Sequence, residues 1–373
     1  MVLTPSPDRV DPPCPHYGPC GGCVTQHLAL GPYSIWKRAR LIEALERAGF
    51  RDPPVAATEV TPPATRRRAD LALKRRPDGS VALGFHARGD SARVEDLSTC
   101  HVLDPRLVAL FEPLRAMLRS LACFRKEGSA MLNLLDSGPD LLLRLDGTPG
   151  VQERTALAAF AQAHRISRIS GSSLKGLVAE TLAQVSPVAM QFAGVSVTPP
   201  AGAFLQATPQ GEAAIIRAVL AGLPKKLTNK SRIAELHAGL GTLSFPLSAV
   251  ARVAAYEGAP ETVAALDAAA RKAGGRVVAT KRDLVRQPLS PKELEAFAGL
   301  VLDPPFSGAV EQMPALARSS LGRIVYVSCN PAALTRDAKT LLGGGWRIEA
   351  ATPIDQFLWS AQLEAVVVFA KGK

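Results

Sequence analysis

From about residue 205 the sequence alternates short β-like runs with helical ones: RIAEL, VAAYE, VVAT, GLVLD, RIVYVS and EAVVVFA, separated by segments such as APETVAALDAAARKAG. Strands that alternate with helices are joined by crossovers, which makes the sheet parallel and covers both of its faces. The pattern dictates an α/β fold for this part of the chain and tells where its chemistry should lie. Ligands of such sheets collect beyond the carboxyl ends of the strands, so the residues directly after each run are the candidates.

After the first run comes E-L-H-A-G-L-G-T, residues 235–242. Gly239 and Gly241 let the backbone turn closely into a helix, leaving room for a nucleoside-bearing cofactor. The second run ends in Tyr256-Glu257, 18 residues after Gly239, and an acid there can accept hydrogen bonds from ribose hydroxyls. A dinucleotide site has the same pair but also a third glycine, where this chain has Ser244. A methyl donor without a pyrophosphate fits better. The fourth run ends in D-P-P-F, Asp303 to Phe306, and the fifth in S-C-N-P, Ser328 to Pro331. Neighbouring strands would bring the Asp303 carboxylate and the Cys329 thiol to one edge. A cysteine at a strand end, followed by Asn-Pro, has the setting of a nucleophile.

The 373 residues allow two or three domains of about 100–200 residues each. Before the alternating region, ADLALKR, SVALGFHAR, DLLLRLDG and RISRISG read as antiparallel strands, with helical patterns near 105–120 and 151–164, an α+β arrangement. SIWKRARLIEALERAGF reads as a short helix closing the amino-terminal segment. That segment holds three of six cysteines: Cys14, Cys20 and Cys23, spaced C-x5-C-x2-C among Gly18, Gly21 and Gly22. Cys100 is the candidate fourth ligand, and Cys123, in LRSLACF, reads as a buried hydrophobe. Spacing alone leaves zinc and an iron–sulfur cluster both open.

No run approaches the ~20 apolar residues of a membrane helix, and the opening residues lack the apolar core of a signal peptide, so a cytoplasmic protein is expected. Lys and Arg number 44 against 33 Asp and Glu, a formal net charge of +11. That balance points to a polyanionic partner, nucleic acid first. Arg66, Arg67, Arg68, Lys74, Arg75 and Arg76 alternate with apolar residues against a single acid, Asp70, as in a basic surface strand.

C-x5-CGGC followed by QHL, F-L-Q at 204–206, E-L-H-A-G-L-G-T, D-P-P, V-S-C-N-P and a late A-x-x-E together resemble the S-adenosylmethionine-dependent RNA uracil-C5 methyltransferases. Within them the chain looks most like the iron–sulfur branch that modifies 23S ribosomal RNA. The likeness runs from Cys14 to about Phe369. It implies a class I Rossmann-like methyltransferase domain over 191–373, preceded by an iron–sulfur segment over 1–50 and an α+β RNA-binding middle domain over 51–190. A [4Fe-4S] cluster on Cys14, Cys20, Cys23 and Cys100 is implied as well, with zinc as the alternative occupant. The 13 residues before Cys14 are too few for the small β-barrel that some relatives carry at that end.

The resemblance also assigns roles. Carbon 5 of uracil is a poor nucleophile, and a thiolate added at carbon 6 turns carbons 4 and 5 into an enolate able to attack a methyl group. Cys329 would be that thiolate, and Glu364 the base that removes the proton from carbon 5. Gln206, His237, Glu257 and Asp303 match donor-binding positions around the Gly239 turn. Asp283 stands where related folds place an acid near the adenine amino group. A thiol of pKa ~8.5 is mostly protonated at neutral pH, so basic neighbours are expected to lower that of Cys329.

A looped or single-stranded RNA is the expected substrate, with a base flipped into the pocket and Phe204, Phe306 or Trp359 available to stack on it. Ribosomal RNA is preferred to transfer RNA, because the transfer-RNA branch typically lacks the cysteine set, and a monomer is expected. The competing readings are a cytosine C5 methyltransferase and a cluster-bearing RNA-binding protein with an inactive methyltransferase fold. His237, Ala238, Phe306, Trp359 and Gln362 depart from residues common in the family.

Overall fold

The computed structural model describes residues 4–174, 176 and 178–371. Its carboxy-terminal part is built on an eight-stranded sheet in the order Glu59–Val60, Trp346–Asp355, Glu364–Lys371, Arg323–Ser328, Gly299–Leu302, Arg232–Leu236, Arg252–Glu257, Val277–Lys281. Neighbours run parallel except at Glu364–Lys371, which is antiparallel to both strands beside it. Gly299–Leu302 is buried at every residue and Arg323–Ser328 at all but the first, which is why both read as continuous apolar runs.

One face of this sheet packs through Leu41, Leu302, Tyr326, Leu341 and Phe369, the other through Ile215, Val219, Val253, Val301 and Val327. Chain order reverses where Arg232–Leu236 lies beside Gly299–Leu302, and this opens a crevice beyond their carboxyl ends. Gly299–Leu302 in turn pairs with Arg323–Ser328, so Asp303 and Cys329 leave the sheet side by side.

The middle of the chain forms a seven-stranded sheet in the order Asp90–Asp96, Val81–Ala87, Arg68–Arg75, Glu127–Leu135, Gly138–Leu145, Arg168–Ser173, Glu180–Gln184. It is antiparallel except where Gly138–Leu145 meets Arg168–Ser173, the pair bridged by helix Val151–Ala163. A separate core of Leu71, Leu83, Phe111, Leu132 and Leu143 lies under it.

The helix expected to close the cysteine segment runs Leu30–Arg47, and it does something else. It packs on helix Pro331–Gly343 and on the large sheet, with Leu41 and Leu45 in the same core as Leu302 and Phe369. Its buried stripe is Tyr33, Lys37, Leu41, Ala44 and Leu45, whereas Ile35 is exposed. A lysine enters the stripe because its ammonium is paired inside: Lys37 Nζ donates to Asp355 Oδ1 at 2.8 Å with both side chains fully buried.

Candidate active site

Three residues in the left-handed region shape the turn after Arg232–Leu236: His237 (φ 61°), Gly239 (φ 54°) and Gly241 (φ 94°). A side chain at Gly241 would also collide with Leu266 and Phe245, 2.6 Å from its Cβ position. His237 holds a conformation that costs a non-glycine residue about 1–3 kcal/mol. The turn is tied to the next strand end, where Glu257 accepts from Gly239 N–H at 3.0 Å and from the N–H groups of Gly258 and Ala259 at 2.7 and 2.8 Å. Ser244, in place of a third glycine, is fully buried and donates to Glu235.

The S-C-N-P sequence compresses three functions into four residues. Ser328 ends its strand, Asn330 caps helix Pro331–Gly343 by accepting from Ala332 N–H at 3.0 Å, and Pro331 takes the first helical position. Cys329 is left between strand and cap, half-buried, on a cavity of about 540 Å³. Gln206, Glu235, His237, Gly239, Glu257, Asp303 and Glu364 line the same cavity. A chain of side-chain contacts crosses it: Gln206 Nε2 donates to Asp303 Oδ2 at 3.1 Å, and Gln356 Nε2 donates to Gln206 Oε1 and to Glu364 Oε2, each at 2.7 Å. Glu364 Oε1 is buried and has no partner.

The electrostatics of this cavity are one-sided. Four carboxyl groups line it, and no lysine or arginine does among the described residues. Burial pushes Asp303 up to about 7 and Glu235 to about 8, and holds Glu364 well above the carboxylate range with the charge of Asp303 adding to the effect. His237 is shifted down by burial, against the pull of Glu257 and Glu311. The Cys329 thiol is pushed up to about 12, by burial first and then by Glu364 and Asp303. This corrects the expectation of a thiol lowered by basic neighbours, because the groups around Cys329 are acids. Such a pocket suits a cation, and it suits a phosphate-bearing dinucleotide poorly.

Asp283 stands apart. It is not among the residues lining the cavity, and its carboxylate accepts from Val285 and Arg286 N–H at 3.1 Å. Trp359 also stays outside; its carbonyl accepts from Val24 and Thr25 N–H, whereas Phe204 and Phe306 line the cavity and are largely exposed. Sequence reasoning missed Glu235, Gln356 and Phe357. Glu235, a lone acid inside an apolar strand run, was the available signal; Gln356 and Phe357 gave none.

The basic run at 66–76 is mostly structural. Arg67 is buried, donating to the Gln206 carbonyl at 3.0 Å and pairing with Glu212 at 2.5 Å. Arg75 donates to the carbonyls of Leu118, Leu121 and Phe124, and Lys74 and Arg76 pair with Glu127 and Asp96. Arg68 lies beside the cavity, its guanidinium 5.0 Å from the centre of the lining Phe204 ring.

Cys14, Cys20, Cys23 and Cys100 line a second cavity of about 480 Å³ together with Arg66 and Phe357. Burial raises the thiols of Cys20, Cys23 and Cys100, that of Cys23 to about 11, and Coulombic repulsion among the cysteines adds to it. Among the described residues no three His, Cys, Asp or Glu side chains stand close enough to hold a metal ion. Cys123 is buried in the middle core. No helix among the described residues is long and apolar enough to cross a membrane.

Residues 204–372 match the family model described as tRNA (Uracil-5-)-methyltransferase. An uncharacterized RNA methyltransferase of Rhizobium meliloti is 38% identical over 374 residues, covering 98% of this chain and 87% of that one. The 23S rRNA (uracil(1939)-C(5))-methyltransferase RlmD of Chromohalobacter salexigens is 36% identical over 381 residues, covering 99% and 78%. Among solved structures, the Pyrococcus abyssi tRNA (uracil-54, C5)-methyltransferase in complex with S-adenosyl-L-homocysteine superposes with a TM-score of 0.74 at 20% identity, over 99% of this chain and 87% of that one, a likeness of fold.

Proposed function

The chain belongs to the S-adenosylmethionine-dependent RNA uracil-5-methyltransferases, and from that premise we propose that it methylates carbon 5 of a uridine in 23S ribosomal RNA through a covalent adduct on Cys329. The observation that carries this reading is the meeting of Cys329, Asp303 and Glu364 on one cavity lined by carboxylates and free of lysine and arginine among the described residues. S-adenosylmethionine, when bound, supplies the methyl group on a positively charged sulfur. Gln206, His237, Glu257, Asp303 and the Gly239 turn are the residues that would hold it, Glu257 at the ribose, with Asp283, which does not line the cavity, assigned to the adenine amino group.

The Cys329 thiol gives its proton to solvent and the thiolate adds through Sγ to carbon 6 of the uracil; the 5,6 double-bond electrons pass into the enolate of carbons 4 and 5, whose carbon 5 takes the methyl group as its bond to the donor sulfur breaks. Burial keeps both the free thiol and the Glu364 carboxyl protonated, so the cationic charge brought in with the donor is what favours the thiolate and the ionised Glu364 carboxylate. After methylation Glu364 takes the proton from carbon 5, the electrons of that bond restore the 5,6 double bond, and the Cys329 thiolate leaves. The support for ribosomal RNA is the likeness to the relative from Chromohalobacter salexigens over nearly the whole chain. A monomer in the cytoplasm remains our working assembly and location.

The cysteine set is read as the site of a [4Fe-4S] cluster. A single tetrahedral zinc needs four sulfurs about 2.3 Å from one point. A cluster takes each thiolate on a different iron, so its sulfurs surround a volume. The support for this reading is that all four thiols line one cavity. Protein purified without oxygen should carry about four iron atoms and four sulfides per chain; one zinc per chain would reject the cluster.

RNA containing 5-fluorouridine tests the covalent step, because fluorine cannot leave as a proton. The wild type should become trapped in a denaturation-stable complex only when the donor is present with its methyl group, and Cys329→Ala should not. A complex that persists in Cys329→Ala would reassign the nucleophile.

A further inference from the structure

Gln356 lies in the loop between Trp346–Asp355 and Glu364–Lys371 and is 2 % exposed. Every hydrogen-bonding group of its amide is spoken for. Oε1 accepts from Ala207 N–H at 2.8 Å, and the two protons of Nε2 go to Gln206 Oε1 and Glu364 Oε2. Turning the amide over would set a carbonyl against two acceptors and an NH2 group against a donor, so the three partners fix one orientation. Two consequences follow for the cavity. Gln206, with its oxygen engaged, presents its NH2 group to Asp303. Glu364, with Oε2 engaged, keeps a single unpartnered oxygen, Oε1.

We propose that Gln356 is a positioning residue for proton removal: by holding Oε2 of Glu364 it makes Oε1 the atom that takes the proton from carbon 5. The inference rests on the covalent reading above. In the step itself the C5–H bond breaks towards Oε1, its electron pair forms the 5,6 double bond, the C6–Sγ bond breaks, and that electron pair returns to Cys329. Nothing else is consumed, and the proton on Glu364 passes to solvent when the positive charge of the next donor arrives. Methyl transfer precedes this step and does not use Glu364.

Gln356→Met removes all three hydrogen bonds at nearly constant volume. In single turnover with an RNA fragment and labelled donor at saturating concentration, it should form S-adenosylhomocysteine within about threefold of the wild-type rate, the loosened Gln206 showing only as weaker donor affinity. Release of methylated RNA should slow by about 10–100-fold, below the full contribution of a general base, and a methylated covalent complex should accumulate on denaturing gels. Glu364→Gln is the positive control for that complex. Gln356→Leu is the second variant should Gln356→Met fail to fold: it too removes both donor bonds, and should show the same slow release. Release at the wild-type rate, or equal slowing of both steps, would overturn the proposal and leave Gln356 a packing residue. Absence of any wild-type complex with 5-fluorouridine RNA would instead overturn the covalent reading, and this inference with it.

Discussion

Three buried acids hold protons in the folded protein that they would lose on unfolding. Glu235 is raised from 4.5 to about 8 and Asp303 from 3.8 to about 7, and Glu364 is raised with them. Between those ordinary values and the raised ones the folded state binds more protons than the unfolded state, so stability falls as pH rises. For Glu235 and Asp303 this contribution is complete below about 4 and gone once pH has passed about 8. Melting curves of the donor-free protein from pH 5 to 8 should show that fall, and Glu235→Gln, neutral throughout, should flatten it; parallel curves for the two proteins would contradict the charge account. Two of these acids, Glu364 and Asp303, add to burial in raising the Cys329 thiol. Replacing Asp303 by Asn removes one of the anionic neighbours that raise the thiol, so alkylation of Cys329 at pH 9, followed by peptide mass spectrometry, should become faster by several-fold. An unchanged rate would mean that burial alone governs it.

At the scale of elements, the loop from Asp355 to Glu364 joins the two cavities. Phe357 lines both of them. The loop is held from the amino-terminal side: Lys37 donates to Asp355 and to the Gln362 carbonyl, Tyr33 donates to Asp355 and accepts from Trp359 N–H, and Val24 and Thr25 N–H donate to the Trp359 carbonyl. Lys37→Met leaves Asp355 buried without its counter-charge and should destabilise the protein by about 3–5 kcal/mol, read from urea unfolding; a loss below about 1 kcal/mol would show that water reaches the pair. This clamp marks the limit of what the sequence discloses. The strand runs and the glycine turn were legible because hydrophobic periodicity and left-handed glycines are local signals. Cys329 was legible because Asn-Pro after a strand end is a helix start. Lys37 and Gln356 were not, since Lys37 is explained by Asp355 and the orientation of the Gln356 amide by Gln206 and Ala207, all more than 100 residues away along the chain. The basic run misled for the same reason: alternation describes a strand, and only tertiary pairing shows which of its arginines are consumed by carbonyls and carboxylates.

For the whole molecule, the chain before the middle sheet's strand Arg68–Arg75 is tied to the segment leading into the large sheet where Arg67 holds the Gln206 carbonyl, and Arg68 beside it lies over the Phe204 ring. That junction is where an RNA loop would enter, with a flipped base reaching Cys329 past Phe204 and Phe306. Arg68→Ala should weaken RNA binding by about 1–2 kcal/mol and leave donor affinity unchanged in titration calorimetry; equal losses for both ligands would indicate a collapsed cavity. The central claim is the identity of the methylated base, and it has a direct measurement. The protein is incubated with total RNA from a methylation-deficient cell and labelled donor, the RNA classes are separated and digested, and the nucleosides are identified by mass spectrometry. The account predicts labelled 5-methyluridine in large-subunit ribosomal RNA, absent with Cys329→Ala; label in 5-methylcytidine, label confined to transfer RNA, or no label from protein that binds the donor would contradict it.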